Sequence, residues 1–346
     1  MFLIGYTMES GSEAFARKAP EHSDSAGEYV MANTDSGINS SFFEEEIRSG
    51  YLVSGKMKKI WAVQIDLLEQ LKRVCSRHHL TYFADSGTLL GAVRHQGYIP
   101  WDDDIDIVMK RADYQKLIEI APAEFKAPYF LQSAHSEVFP RGYARLRNDN
   151  TTAITAYDLD KDIHHGIFID IFPLDNLPDD EQERSRWFKK ITFFHKMIRA
   201  GVSRQTGKNE TLLNNILIHV SRGVIACVGY SRAMQKYEKL CSRYDDRDTK
   251  YISYVAYSKG KKKHIWESAC FDSAHEVPFE YTTVAIPDLY DSRLRTEYGD
   301  YMTPVRAGTA HGDVIFEPEI PYREYLKDHP IQELSRMLTK VKGGNV

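Results

Sequence analysis

Cysteine is scarce in this chain: four in 346 residues, at positions 75, 227, 241 and 270. No two form a C-x-x-C pair and none lies near a histidine at ligand spacing. A zinc site or a disulfide framework is therefore disfavoured, and Cys75, Cys227, Cys241 and Cys270 read as separate reduced thiols of a cytosolic protein. Excess positive charge is also missing. Lys and Arg number 45 against 49 Asp and Glu, a net charge of −4, so no overall basic field draws the chain to nucleic acid or to an anionic membrane. Long apolar runs are lacking as well. Met1 to Ile4 is apolar but has no basic flank and no sustained continuation, so it does not read as a secretory signal. The most apolar later stretch, Leu212 to Val228, is interrupted by Asn214, Asn215, His219, Ser221 and Arg222. It is too polar to span a bilayer and is read as a buried helix in preference to one lying on a membrane surface. No internal repeat is present.

What remains is an ordinary globular composition, 42% hydrophobic and 27% charged, with enough apolar residues for a large core. Residues 1–42, rich in Ser, Gly, Ala, Glu and Asn, lack periodicity and are expected to form a flexible leader. Ile60, Val63, Leu67, Leu71 and Val74 recur at spacings of three and four, which predicts an amphipathic helix over 57–78. Leu80 to Ala84 fits a short buried strand, Thr88 to His95 a two-turn helix, and Gly97 and Pro100 a loop. Asp104 to Met109 returns to a strand, and Arg111 to Phe125 to a helix. Short strands are expected at 129–132, 143–146 and 152–155. Gly166 to Leu174 gives the strongest strand signal, an apolar run with Asp170 in its middle. From 179 to about 244 the pattern is helical, broken near 201–209. It becomes β-like again over 277–286, then helical over 288–298 and from Ile331. The expected fold is an α/β or α+β core with helical additions. It divides into a leader 1–42, a core 43–178, a mainly helical region 179–270 and a C-terminal part 271–346 that completes the core.

The chemistry concentrates at residues 102–106, Asp-Asp-Asp-Ile-Asp. Residues two apart on a strand point the same way, so Asp104 and Asp106 present two carboxylates on one face. Such a pair repels itself unless a cation intervenes, and Mg²⁺ takes one or two carboxylates together with substrate phosphate oxygens. Asp170, alone in an apolar strand, needs a partner for the same reason. If its strand lies beside that of Asp104 and Asp106, three carboxylates converge on one metal site (Mg²⁺, or Mn²⁺), with the third available as general base. Ser86, Gly87 and Thr88 form a small-residue turn that opens a helix, where backbone amides bind anions. Arg94, Arg145 and Arg147 are candidate phosphate clamps. Asp102 and Asp103 are read as shaping the loop. A calcium loop of the EF-hand type is disfavoured, because Ile107 stands where that loop requires glycine.

The run Ser-Gly-Thr-Leu-Leu-Gly-Ala-Val-Arg-His-Gln-Gly-Tyr-Ile-Pro-Trp-Asp-Asp-Asp-Ile-Asp-Ile from Ser86 closely resembles the signature of the LicD family of phosphotransferases. That family includes bacterial phosphocholine transferases and is related to the fukutin-type transferases. Residues 166–175 and the Tyr-Gly-Asp-Tyr-Met run at 298–302 extend the match, and the similarity spans about 45 to 326. The resemblance implies a nucleotidyltransferase-like core with a small mixed β-sheet flanked by helices. It implies transfer of phosphocholine, or a similar phospho-alcohol, from a CDP-activated donor such as CDP-choline. The acceptor would be a hydroxyl of a cell-surface glycan (lipopolysaccharide, teichoic acid or capsule), and CMP would be released. By that analogy Asp104 and Asp106 hold the metal, Asp170 completes the set and acts as base, Ser86, Gly87 and Thr88 cradle phosphate, and His311 joins the site. The fukutin-related cysteine cluster has no counterpart here, which favours the bacterial branch. The location that follows is cytoplasmic, at the inner face of the membrane through a lipid-linked acceptor.

Two enzymatic alternatives use similar residues. A nucleotidyltransferase would pass the NMP itself to a sugar or small alcohol and release pyrophosphate. A glycosyltransferase carries its Asp-x-Asp later, after a nucleotide-binding unit. A non-catalytic glycan- or partner-binding protein would have no need to keep all three aspartates.

Overall fold

The computed structural model describes residues 38–340, except 160, 204–211, 259 and 306–313. Most of the expected leader and His311 lie outside the described residues. The fold is α+β, with a mixed sheet, flanking helices and a helical addition.

A hairpin of β1 (Glu46–Arg48) and β2 (Tyr51–Val53) leads into the long helix Gly55–His78. Ser54 starts this helix by accepting a hydrogen bond from the Met57 amide, which satisfies one of the amides left over at a helix start. His79, in the left-handed conformation (φ 54°), ends it. The predicted apolar stripe is buried, Leu67 and Leu71 completely, and Trp61 and Leu68 beside it are buried as well. After it come β3 (Phe83–Ala84), the helix Ser86–His95 and β4 (Asp106–Lys110). β4 begins two residues later than expected. Asp104 precedes it in an extended segment whose alternating burial continues the strand pattern.

The helix Arg111–Glu124 follows, then β5 (Tyr129–Gln132), β6 (Ala144–Asn148), β7 (Thr152–Thr155) and β8 (Phe168–Leu177). β8 is the hub of the seven-stranded sheet. It pairs in parallel with β4 along one edge. Its other edge is shared by β6 at the start and β9 (Tyr251–Ser253) at the end, both antiparallel. β10 (Trp266–Glu267) continues the sheet beyond β9, β3 lies outside β4, and β5 lies outside β6. Such a strand, covered on both edges and both faces, is largely apolar, and nine of its ten residues are buried. β11 (Ala274–Phe279) and β12 (Thr282–Pro287) form a hairpin, and β13 (Val314–Glu317) pairs with β7. The helix Tyr290–Tyr298, ending at Gly299, packs against Ser86–His95. The four cysteines are unpaired, as expected.

The helical addition consists of Glu181–Val202, Leu212–Val228 and Tyr230–Cys241. Leu212–Val228 is not the buried helix expected from its composition. Among its residues from Asn215 onward only Ser221 is buried, and Ile216, Val220 and Val224 stand in solvent. The periodicity of apolar residues reports that a helix forms, but the neighbours that would bury it here cover one side only.

A buried ion pair ties the first crossover to the hub. The Arg111 guanidinium grips Asp175 through Nε–Oδ1 (2.5 Å) and a second bond to Oδ2 (2.8 Å). Asp245 sits behind it, with Oδ1 accepting from the Asn176 amide and Oδ2 4.0 Å from Arg111. Burial, followed by the charge of Asp175, pushes the Asp245 carboxyl up to about 7. The folded chain therefore keeps a proton that the unfolded chain releases above about pH 4, and stability from this group is lost as pH rises towards 7. Asp245→Asn, which resembles the protonated form, should gain stability relative to wild type between about pH 4 and pH 7. Urea denaturation across that range tests this. A gap between the two proteins that stays constant with pH would contradict it.

Candidate active site

The Asp-rich loop is held from below by its backbone. The Trp61 indole donates to the Asp102 carbonyl (3.0 Å) and the Gln64 amide to the Asp103 carbonyl (2.7 Å). Tyr98 stacks flat on Trp61 at 4.5 Å and donates its hydroxyl to Gln64. With the carbonyls fixed by the long helix, the side chains of Asp102, Asp103 and Asp104 gather, their oxygens within 4.8 Å of one another. Burial and the carboxylates of Asp104 and Asp103 push the Asp102 carboxyl well above the usual range. This is the strain expected of like charges sharing a small volume.

The start of the helix Ser86–His95 closes on this loop. Ser86 adopts φ 48°, a left-handed conformation that an L-residue takes only under constraint. A Cβ on Gly87 would lie 2.4 Å from Asp102 Oδ2, so only glycine admits the carboxylate so near the helix start. Thr88 does not line the cavity. Its hydroxyl accepts from the Asp106 amide (2.8 Å) and fixes the beginning of β4. Asp85, buried, accepts from Arg293 (2.6 Å), and Arg293 also pairs with Glu297 (2.7 Å) while stacking on Trp266. This group clamps the helix start to Tyr290–Tyr298.

The parallel ladder places Asp106 directly beside Asp170, and the antiparallel ladder places Arg145 on the other side of Asp170. Three neighbouring strands thus bear carboxylate, carboxylate and guanidinium at one level. Arg145 donates from Nε to Asp170 Oδ1 (2.6 Å) and reaches Oδ2 only at 3.4 Å. The guanidinium also lies on the Phe168 ring and 3.7 Å from Asp158. Both partners of the Arg145–Asp170 pair are buried. Leaving either charge there without the other would cost about 3–5 kcal/mol. Asp158 in turn holds Arg141 (2.6 Å) and Lys161 (2.8 Å), and those charges keep its carboxyl far below the usual range against the opposing effect of burial.

A cavity of about 780 Å³ joins these parts. Of the residues singled out from sequence it gathers Ser86, Gly87, Arg94, Asp104, Asp106, Arg145 and Asp170. Arg147 is elsewhere, buried, donating to Gln132 and to the Gly166 carbonyl. Its neighbours on β6 alternate in direction, so Arg145 and Arg147 share a face while only Arg145 reaches the opening. Sequence reasoning missed Arg141, Lys261 and Lys263, which also line the cavity. It missed the aromatic wall of Tyr143, Phe172, Tyr254 and Tyr257 as well. Burial, then Asp106 and other cavity groups, push the Tyr257 hydroxyl up to about 12. Asp85 could have been found by the argument used for Asp170, since Tyr-Phe-Ala precedes it.

The residues suit a divalent cation. The donors are hard carboxylate oxygens, which Mg²⁺ prefers, and the raised Asp102 carboxyl marks a concentration of negative charge that a cation relieves. Arginines and lysines around the same cavity suit phosphate oxygens.

The family model for the LicD/FKTN/FKRP nucleotidyltransferase domain matches residues 79–206, a span that contains the helix start, the Asp-rich loop, β4, β6 and β8. The lipopolysaccharide cholinephosphotransferase LicD of Haemophilus influenzae is 26% identical over 279 residues, covering 78% of this chain and 94% of that protein. An uncharacterized protein of Rickettsia prowazekii is 31% identical over 136 residues, 39% of this chain and 46% of that one. The matched span carries the carboxylate row and the cradle described above, and the alignment to the Haemophilus protein runs through most of both chains. Residues 79–206 thus match a LicD/FKTN/FKRP-type nucleotidyltransferase domain, and the likeness to the Haemophilus protein over most of the chain supports a transferase of the LicD type.

Proposed function

We propose that the protein transfers phosphocholine, or a closely similar phospho-alcohol, from a CDP-activated donor to a hydroxyl of a cell-surface glycan, with CMP as the leaving group. The reading is carried by one observation: Asp104, Asp106 and Asp170 line a single cavity together with the opening of a helix and with Arg141 and Arg145. That set suits a chelated diphosphate and a developing charge at phosphorus. The likeness to the Haemophilus cholinephosphotransferase supports the choice of alcohol, and the cavity is large enough for a nucleotide-sized donor.

In this scheme Asp104 and Asp106 hold Mg²⁺ or Mn²⁺, with Asp102 and Asp103 adding negative charge behind them. The bound cation would polarise the phosphate oxygens and lower the charge barrier to attack. The amides of Ser86 and Gly87 receive the donor's phosphates at the helix start. Arg141 and Arg145 neutralise charge that grows on the transferred phosphoryl group. The acceptor oxygen forms the new bond to phosphorus as the bond to CMP breaks. Its proton goes to Asp170 Oδ2, the oxygen that Arg145 engages less closely.

A mass-spectrometric screen of CDP-alcohols with Mg²⁺ should register CMP release with CDP-choline or a near analogue. Pyrophosphate release from a nucleoside triphosphate instead would favour the nucleotidyltransferase alternative. Two substitutions separate the roles. Asp104→Asn should lose metal-dependent donor binding and turnover together. Asp170→Asn should retain donor binding and lose turnover by about 10²–10⁴-fold, the usual contribution of a positioned base. Equal loss of binding in both would contradict the assignment of Asp170 as base.

A further inference from the structure

The helical addition has a composition unlike the rest of the chain. Over its three helices, 181–202, 212–228 and 230–241, there are ten Lys and Arg and three acids, Glu181, Glu183 and Glu238. These helices carry a net +7 in a chain of −4, so the remainder sums to −11. Within it, large apolar side chains face solvent: Phe193 is 59% exposed, Ile216 and Val220 52% each, and Val224 44%. Ile216, Val220 and Val224 are spaced by four and form one stripe along their helix. The packed side of that helix lies about 100° round from this stripe. Ser221 donates to Met197 Sδ, and Ile225 lies against Gly201 of the helix Glu181–Val202. Phe193 on that partner helix has Lys189, Lys190 and Lys196 four before, three before and three after it, all exposed.

Exposed apolar residues among lysines and arginines match a bilayer of anionic lipid, whose acyl boundary takes the apolar side chains while its headgroups attract the basic ones. A second copy of this surface would be repelled by its like charge. No helix among the described residues is long and apolar enough to cross a membrane, so the contact is peripheral. The addition also touches the active-site rim, since Arg199 donates to the hydroxyl of Tyr157, a cavity-lining residue. We propose that the helix pair Glu181–Val202 and Leu212–Val228 docks the protein on an anionic lipid surface, with Phe193, Ile216, Val220 and Val224 inserted and Lys189, Lys190 and Lys196 on the headgroups. The inference does not rest on the transferase reading, because the measurement that tests it is of binding alone.

Full-length protein is sedimented with vesicles of phosphatidylcholine alone or with about one third phosphatidylglycerol. Binding is expected with phosphatidylglycerol and not without it. Two variants should each lower the partition coefficient about tenfold or more while leaving the thermal midpoint within the wild-type range. One combines Phe193→Ser with Val220→Ser, and the other combines Lys189→Glu, Lys190→Glu and Lys196→Glu. Absence of vesicle binding, equal binding to both compositions, or no effect of the apolar substitutions would overturn the proposal. So would a wild-type dimer in sedimentation velocity that the apolar substitutions dissociate, since a second copy would then cover this face.

Discussion

The arrangement depends on the parallel pairing of β4 with β8. It is the one parallel contact in the described sheet, and it sets Asp106 against Asp170 in register. β6, on the far edge of β8, then brings Arg145 to the same level. A slip of one residue in either ladder would turn these side chains to the opposite face. Register is therefore what converts three aspartates and an arginine, distant in sequence, into one row. The Arg111–Asp175 pair, farther along β8, holds the crossover helix to the same strand.

Around that row, backbone contacts set where negative charge collects. The long helix reaches under the Asp-rich loop and takes up two of its carbonyls. Gly87 leaves room for a carboxylate at the helix start, and Thr88 secures the first amide of β4. These backbone groups are buried with partners, so the loop gains a defined shape. The price of that order is the crowding of Asp102, Asp103 and Asp104. Cationic side chains on other elements, Arg94, Arg141, Arg145, Lys261 and Lys263, share the cavity, which suits a cation-bound diphosphate better than it suits either ion alone.

Much of this was legible in the sequence. The helix over 57–78, the strand around Asp170 and the small-residue turn before a helix all have local causes: periodicity, apolar continuity and glycine. That Asp170 needed a partner followed from its apolar surroundings. The identity of the partner did not, because Arg145 reaches it only through the β6–β8 register. For the same reason Arg145 and Arg147, two apart and alike in composition, could not be told apart. The role of Thr88 was invisible because its hydroxyl serves the backbone of a strand 18 residues away. Leu212–Val228 shows the other limit. Its apolar content predicted burial, yet burial is decided by what packs against a helix, and that is a property of the whole fold.

The most direct measurement is calorimetric titration of CDP-choline into the protein with and without Mg²⁺, for wild type and Asp104→Asn. If the carboxylates hold a cation that in turn holds the donor's phosphates, wild type binds with Mg²⁺, and binding is lost in the chelator and in Asp104→Asn. Binding of equal strength with and without Mg²⁺, or undiminished binding by Asp104→Asn, would contradict it.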